Sequence, residues 1–406
     1  MKKGKLRVIA LIWGALMIAV ISSTATLLVS GRSNRDEGER RHWVTQAEYD
    51  TIQRYSRLDE VRRTLLSDYY KPVEEDTLVL GAIRGMTQSL DDPYTFYYTP
   101  EELKRENEDT EGVYFGIGAL LQNSEAGEIE IIRVFPNSPA ETAGLHVGDV
   151  ILAVDGEPVS GADGLSYLDA VRRMRGGAGS EATMTVRRDG ERMAIPVSRG
   201  EVKVSYASYQ VLPGDIGYIN ISQFTGDASK VFREAIDAFK ARGISGLVID
   251  VRNNPGGLLD QVVSIADTLL PEGLIVCTRQ RDGSQQDYYS SADYYDVPLA
   301  VLVNGMSASA SEILAASVQA LGRGQVVGTT TYGKGVVQSL QTFQEDHAGM
   351  QLTTASYFDA LDRGPQEVGV QPDVEVALEG TTLPLEPDPQ SDNQLARALE
   401  ILAQGN

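Results

Sequence analysis

The chain has 406 residues, 42% of them apolar or aromatic and a formal net charge of −21, enough length for two or three domains with cores of their own. An acidic balance with no basic patch argues against a nucleic-acid partner. The single cysteine, Cys277, excludes an internal disulfide and sits in the apolar run LIVC as a small core residue; His42, His146 and His347 stand in no metal-ligand spacing, so no metal and no cofactor is expected.

Lys2, Lys3, Lys5 and Arg7 precede an apolar segment, Val8–Val29, whose 22 residues would rise about 33 Å as a helix, enough to cross a bilayer. Positive charge before the segment places the amino terminus inside and the remaining chain outside. A cleaved signal peptide would export the same domains, but the stretch is long for one and no A-x-A site follows. The expectation is a single-pass protein of the cell membrane, anchored by residues 1–35, with its domains extracytoplasmic.

Residues 40–100 form a helical region: Ile52, Leu58, Val61, Leu65 and Leu66, then Leu78, Leu80, Ile83 and Met86, recur at helical spacing and end at the DDPY turn, Asp91–Tyr94. From about Gly112 the pattern changes to short strands and glycine turns, with an amphipathic helix expected over Gly164–Met174. YFGI (Tyr114–Ile117) and NSPAETAGLHVGDVILAVDG (Asn137–Gly156), followed by that helix, resemble a PDZ domain, which we assign to residues 101–200. The resemblance implies that a protein C-terminus binds as an added strand, its carboxylate held by backbone N–H groups of a loop at Tyr114, Phe115, Gly116 and Ile117.

Residues 201–380 alternate strands and helices: strand IGYINI, helix 227–242, strand GLVIDV, helix Leu258–Leu270, strands LIVCTR and LAVLVN, then a further helix and strands. That is an α/β layout with much parallel sheet. Arg279–Asp296 is polar, tyrosine-rich and without period, and reads as a surface excursion. An acidic linker and a short helix, Asn393–Ala403, fill 381–406.

The densest chemistry lies in Val301–Gln338. A buried strand runs into a small-residue turn and a helix, which puts a serine where unpaired N–H groups favour negative charge. Downstream, GKGVVQSL alternates like a strand, so that Lys334, Val336 and Gln338 would share a face. A serine, a lysine and an amide in that order suggest nucleophilic hydrolysis with lysine as base. Ser307, Ser309 and Ser311 compete for the nucleophile, and Ser309 with Glu312 also fits a capping box, a purely structural role. A lysine near pKa 10.4 must fall by roughly two to three units, about 3–4 kcal/mol, to act as a base near neutral pH, and burial is the expected cause. Gln338 would hold its amine by a hydrogen bond without adding charge. The oxyanion needs fixed donors, for which the N–H of Ala310 and that of Gly256 or Gly257 are candidates.

VNGMSASASEI (Val303–Ile313), GKGVVQ, DVRNNPGG (Asp250–Gly257) and LTTASY (Leu352–Tyr357) together resemble the C-terminal processing peptidases, also called tail-specific proteases. The resemblance implies a serine endopeptidase with a ClpP/crotonase-like core, an inserted PDZ domain and a Ser–Lys dyad. It selects Ser309, with Lys334 25 positions on. It also implies a homodimer, made by the helical amino-terminal region and tail. Substrates would be proteins with free, apolar C-termini. Arg175, before a glycine at the end of the groove helix, resembles an arginine that relays ligand binding in relatives; a basic helix end favourable to the helix dipole is the plainer reading.

Two departures stand out: Asn253 occupies a position usually held by glycine, and FDALDRGPQEVGVQPD follows LTTASY where a proline–serine–glycine-type turn is common. Other classes fit less well. Gly328–Lys334 is nearly a phosphate-binding loop, but Gly335 replaces the Ser/Thr and a strand-like run follows. No histidine lies in a suitable motif for a His-dependent protease. A catalytically inactive PDZ adaptor remains the alternative that intact Ser309, Lys334 and Gln338 argue against.

Overall fold

The computed structural model of the chain describes residues 44–123, 128–159, 164–380, 383–384 and 386–404. It divides into two compact units, Met1–Gly81 and Ala82–Asn406. The expected membrane segment Val8–Val29 lies outside the described residues; among those described, no helix is long and apolar enough to cross a membrane.

In the first unit Thr45 opens α1 (Gln46–Asp68) with a capping box: its N–H donates to Glu48 Oε2 at 2.6 Å, and the Glu48 N–H donates back to Thr45 Oγ1 at 3.3 Å. Its periodic residues Ile52, Leu58, Val61, Leu65 and Leu66 are exposed. A second helix, α2 (Glu75–Gln88), continues from this unit into the next and stops before the Asp91–Tyr94 turn.

The second unit opens with β1 (Phe96–Tyr98) and α3 (Pro100–Glu111), which Gly112 ends in the left-handed conformation at φ 69°. Next comes the PDZ-like module: β2 (Val113–Gly116), β3 (Ala119–Asn123), β4 (Ile129–Val134), α4 (Pro139–Ala143), β5 (Val150–Val154), β6 (Glu157–Pro158), α5 (Tyr167–Met174), β7 (Glu181–Arg188), β8 (Glu191–Ser198) and β9 (Gly200–Lys203). One sheet runs β3-β4-β5-β7-β8, so β3 is an edge, while β2 pairs with β9 and closes the module at its entry and exit. Strict alternation in β7 turns Ala182, Met184 and Val186 into a core with Ile131, Ile151 and Val197.

The remaining elements are β10 (Ala207–Leu212), β11 (Ile216–Ile221), α6 (Ala228–Arg242), β12 (Gly246–Asp250), α7 (Leu259–Leu269), β13 (Gly273–Gln280), β14 (Gln285–Ser290), β15 (Leu299–Val303), α8 (Ala310–Ala320), β16 (Gln325–Gly328), β17 (Val336–Thr342), β18 (Gly349–Phe358), β19 (Val374–Glu375) and α9 (Asn393–Gln404). The main sheet has the order β10-β11-β12-β15-β16-β19 and is parallel from β11 onward. Every residue of β12 and β15 is buried, as continuous apolar runs require when both faces are covered. Phe232, Phe239, Ile265 and Leu314 of α6, α7 and α8 cover one face; Leu395, Ala398 and Leu402 of α9 cover the other. A second sheet, β1-β18-β13-β14 with β17 beside β18, adds Ile275, Val276 and Tyr357 to the first of these cores.

Two expectations change. Arg279–Asp296 is not an excursion throughout: Gln285–Ser290 pairs antiparallel with β13, its tyrosines supplying strand preference that polarity masked. The linker before α9 ends in a buried anchor, Asp392, not in a free tether.

Candidate active site

Strand β15 ends at Val303, and the turn that follows delivers Ser309 immediately before α8. Ser309 has φ 53° and ψ −112°, a combination costly for any residue with a Cβ, and it remains partly exposed. Its two rivals are fully buried. Ser307 Oγ donates to the Val251 carbonyl at 2.8 Å and Ser311 Oγ to the Asn254 carbonyl at 2.9 Å. The flanking serines thus hold the turn against the end of β12, and Ser309 alone of the three stays open to solvent.

Glu312 is completely buried, and its carboxylate takes four donors. Oε2 accepts from the Ser309 and Lys334 N–H groups, both at 2.8 Å; Oε1 accepts from Gly333 N–H at 2.7 Å and Thr331 Oγ1 at 2.6 Å. The Tyr357 hydroxyl donates toward the Ser309 carbonyl at 3.0 Å and the Lys334 carbonyl at 2.6 Å. The main chains of serine and lysine are therefore clamped together from two sides. Sequence reasoning saw Glu312 only as a helix-cap partner and Tyr357 only as part of a motif.

Lys334 is half-buried. Burial pushes its pKa below the ordinary lysine value, against the charges of Asp92 and Glu312, which pull it up. Its Nζ lies 4.3 Å from the centre of the Tyr94 ring. The DDPY turn, read from sequence as punctuation, is thus part of the site. Gln338 is placed differently from expectation: its Nε2 donates to Thr353 Oγ1 at 3.2 Å. Strand β17 begins only at Val336, so Lys334 lies before it, and its register with β18 slips between Val337 and Gln338, Thr354 of β18 being the extra residue.

The loop after β12 packs directly on Ser309. A Cβ at Gly256 would lie 2.8 Å from Ser309 Cβ, and one at Gly257 only 2.3 Å from the Phe224 carbonyl oxygen, so both positions demand glycine. The Gly256 N–H is already given to Asn254 Oδ1 at 2.8 Å, which leaves the N–H of Gly257 as the glycine candidate alongside Ala310. Asn253 has φ 59°, the conformation that glycine adopts freely and asparagine tolerates. It forms a reciprocal pair with Asn304: its N–H donates to Asn304 Oδ1 at 3.0 Å, and Asn304 Nδ2 returns to Asn253 Oδ1 at 2.8 Å.

Among proteins of known family, residues 215–376 match the peptidase family S41 model, 130–188 the PDZ domain model and 18–102 the model of the activating protease CtpB N-terminal domain. The chain is 31% identical to the carboxy-terminal processing protease CtpA of Bacillus subtilis over 375 residues, covering 92% of this chain and 78% of that protein. It is 35% identical to a carboxy-terminal-processing protease of Bartonella bacilliformis over 342 residues, covering 82% and 77%. The chain belongs to peptidase family S41. A solved S41 protease from Bacteroides fragilis, 18% identical, shares the fold with a TM-score of 0.54 over 91% of this chain and 100% of that one. The protein is a serine-type C-terminal processing peptidase with a PDZ domain.

In this S41 peptidase the PDZ groove lies between the edge strand β3 and α5, beside a cavity of about 260 Å³ lined by Ile117, Leu121, Val171 and Met174 among others. The four residues expected as a loop are mostly strand: Tyr114, Phe115 and Gly116 pair with Val202, Glu201 and Gly200, because the β-prone VYF finds a partner in β9. Ile117, just past the strand, is buried in the core of the module. Arg175 closes one end of the groove, its guanidinium 4.8 Å from the Tyr114 ring centre and 2.9 Å from Asp109 Oδ1. Tyr167 crosses the groove, its hydroxyl donating to the Leu121 carbonyl at 3.1 Å.

Proposed function

We propose that Ser309 is the nucleophile, Lys334 its general base and the Gly257 and Ala310 N–H groups the oxyanion donors, acting on protein substrates recruited by their C-termini. The observation that carries this reading is the strained, partly exposed Ser309 main chain, held beside a half-buried lysine by the Glu312 and Tyr357 clamps. Ser309 Oγ attacks the scissile carbonyl as its proton passes to neutral Lys334. The oxyanion forms against the Gly257 N–H of the loop after β12 and the Ala310 N–H at the start of α8, whose dipole favours it. The resulting ammonium returns its proton to the leaving amine, and the acyl-enzyme is hydrolysed by water deprotonated by the same amine. Gln338, engaged with Thr353, supports the lysine strand rather than the amine itself.

The edge strand β3 suits an added peptide strand, which would displace the Tyr167 hydroxyl from the Leu121 carbonyl, and the corner at Gly116–Ile117 with Arg175 receives its terminal carboxylate. Anchoring by Val8–Val29 and pairing of two copies through the exposed apolar positions of α1 complete the reading. One preparation addresses both: retention in membranes after alkaline washing and a two-protomer mass by light scattering support them, and release or a monomeric mass removes the respective claim.

The decisive experiment incubates the purified full-length chain, Ser309→Ala and Lys334→Ala with an unfolded protein ending in an apolar carboxylate and with its amidated twin. Loss of cleavage in both variants and slower cleavage of the amidated twin by the unaltered chain are expected. Cleavage surviving in Ser309→Ala removes the nucleophile assignment, and equal rates on the two substrates remove recruitment by the C-terminus.

A further inference from the structure

The lysine is carried by the segment before β17, yet the group lying over its amine comes from a turn some 240 residues earlier in the chain. We propose that Tyr94 is a positioning residue for Lys334: its ring face seats the amine and shields it from water, so the DDPY turn fixes where the proton acceptor stands. The proposal rests on the reading of Lys334 as the base.

Tyr94 is itself held in place. Its N–H donates to Asp92 Oδ1 at 2.9 Å and its carbonyl accepts from Gln351 Nε2 at 3.1 Å. Thr95 Oγ1 donates to Asp92 Oδ2 at 2.6 Å and accepts from the Thr353 N–H at 3.2 Å. Directly after the turn, β1 pairs with β18, with Phe96 opposite Gln351. The same strand carries Tyr357, which holds the Lys334 carbonyl, so lysine and aromatic roof are fastened to one element. Among the described residues Lys334 Nζ makes no hydrogen bond or ion pair, and the ring face is its polar contact.

A ring face acts on an ammonium in two opposed ways. Its quadrupole attracts the charge, and its bulk removes water that would stabilise the charge. The other groups facing Lys334 are Asp92 from the turn, Glu312 from α8, Tyr357 from β18 and Tyr332 from the lysine's own segment. Substitutions separate the two effects. Tyr94→Phe keeps both. Tyr94→Leu keeps the cover but loses the attraction, so the acid limb of the kcat/KM profile moves down. Tyr94→Ala admits water and moves that limb up. Shifts of about 0.5 to 1 pH unit are expected, with kcat reduced and KM little changed.

The experiment records these profiles for the full-length chain, with Lys334→Ala as reference and thermal unfolding to establish folding. Because a variant too weak to assay leaves no profile, the pH dependence of amine acylation at Lys334 is measured in parallel by mass spectrometry in the Ser309→Ala background. Opposite displacements in Tyr94→Leu and Tyr94→Ala, with Tyr94→Phe unchanged, support the proposal. Coincident profiles and labelling curves for all three, with Lys334→Ala inactive, overturn it. An active Lys334→Ala instead overturns the assignment of the base.

Discussion

Ser307 and Ser311 each donate from full burial to a carbonyl that also holds a main-chain donor: Val251 O accepts the Asn254 N–H at 3.3 Å, and Asn254 O accepts the Ala308 N–H at 3.0 Å. Removing either hydroxyl leaves its carbonyl partly satisfied, so Ser307→Ala and Ser311→Ala should each lower stability by about 1 kcal/mol. Ser309→Ala carries the same backbone strain as serine and loses no such buried donation, so its stability should be unchanged while cleavage disappears. Urea unfolding of the three variants checks this; a destabilised Ser309→Ala would make that hydroxyl structural. From the sequence the three serines were equivalent apart from the family resemblance, because adjacent positions in a turn have no period from which burial can be read. Asn253 was legible only as a departure. Its positive φ supplies the reason that glycine or asparagine fits there, and its pairing with Asn304, 51 residues away, has no local signature.

At the scale of elements, α9 is joined to the loop after β12 by buried charge. Asp392 caps the helix, accepting from the Gln394 and Leu395 N–H groups at 3.1 and 3.0 Å, and receives both terminal nitrogens of Arg252, at 3.0 and 2.7 Å. Arg252 also bonds Asp250, whose Oδ2 accepts the Tyr218 hydroxyl at 2.7 Å. Burial opposes the guanidinium charge, and the two carboxylates outweigh it, holding its pKa above the ordinary arginine value. Asp392→Ala removes one carboxylate and a cap together. A loss of about 3 kcal/mol or more is expected from denaturant unfolding in the Ser309→Ala background, with Asp392→Asn between it and the unaltered chain. A loss under about 1 kcal/mol would mean that Arg252 is satisfied by Asp250 and Gln394 alone. The helix and the parallel strands were legible because apolar periodicity and unbroken apolar runs are local signals. The anchor was not, since an aspartate in an acidic, proline-bearing stretch reads as solvated until its partner 140 residues away is known. The bulge at Thr354 of β18, opposite the Val337–Gln338 step, is equally silent in sequence.

Across the whole molecule, pairings such as β1 with β18 tie together segments about 250 residues apart, and no single-sequence pattern encodes them. The same long-range order lays a continuous set of bonds between the PDZ groove and the loop that packs on Ser309. Arg175 at the groove holds the Asp109 side chain. The Asp109 carbonyl accepts the Tyr206 hydroxyl at 2.8 Å, and the Thr110 carbonyl accepts the Gly226 N–H at 3.0 Å and the Thr225 hydroxyl. Phe224 follows, its N–H on the Gly256 carbonyl at 2.8 Å and its carbonyl on the Leu258 N–H at 2.7 Å, bracketing the candidate oxyanion glycines. Contiguity alone does not make coupling; a measured free energy between the sites does. Asp109→Ala frees Arg175 and trims one wall of the groove cavity, leaving Ser309 and the loop after β12 unaltered. If the bonds transmit occupancy, the ratio of cleavage rates on free and amidated tails should fall toward one by about 2- to 10-fold, and by more than any change in peptide affinity read by fluorescence anisotropy. An unchanged ratio would show that these contacts brace the domains and carry no signal. A ratio that falls only as far as affinity falls would confine Asp109 to the groove, with Arg175 acting on the ligand and not on the loop.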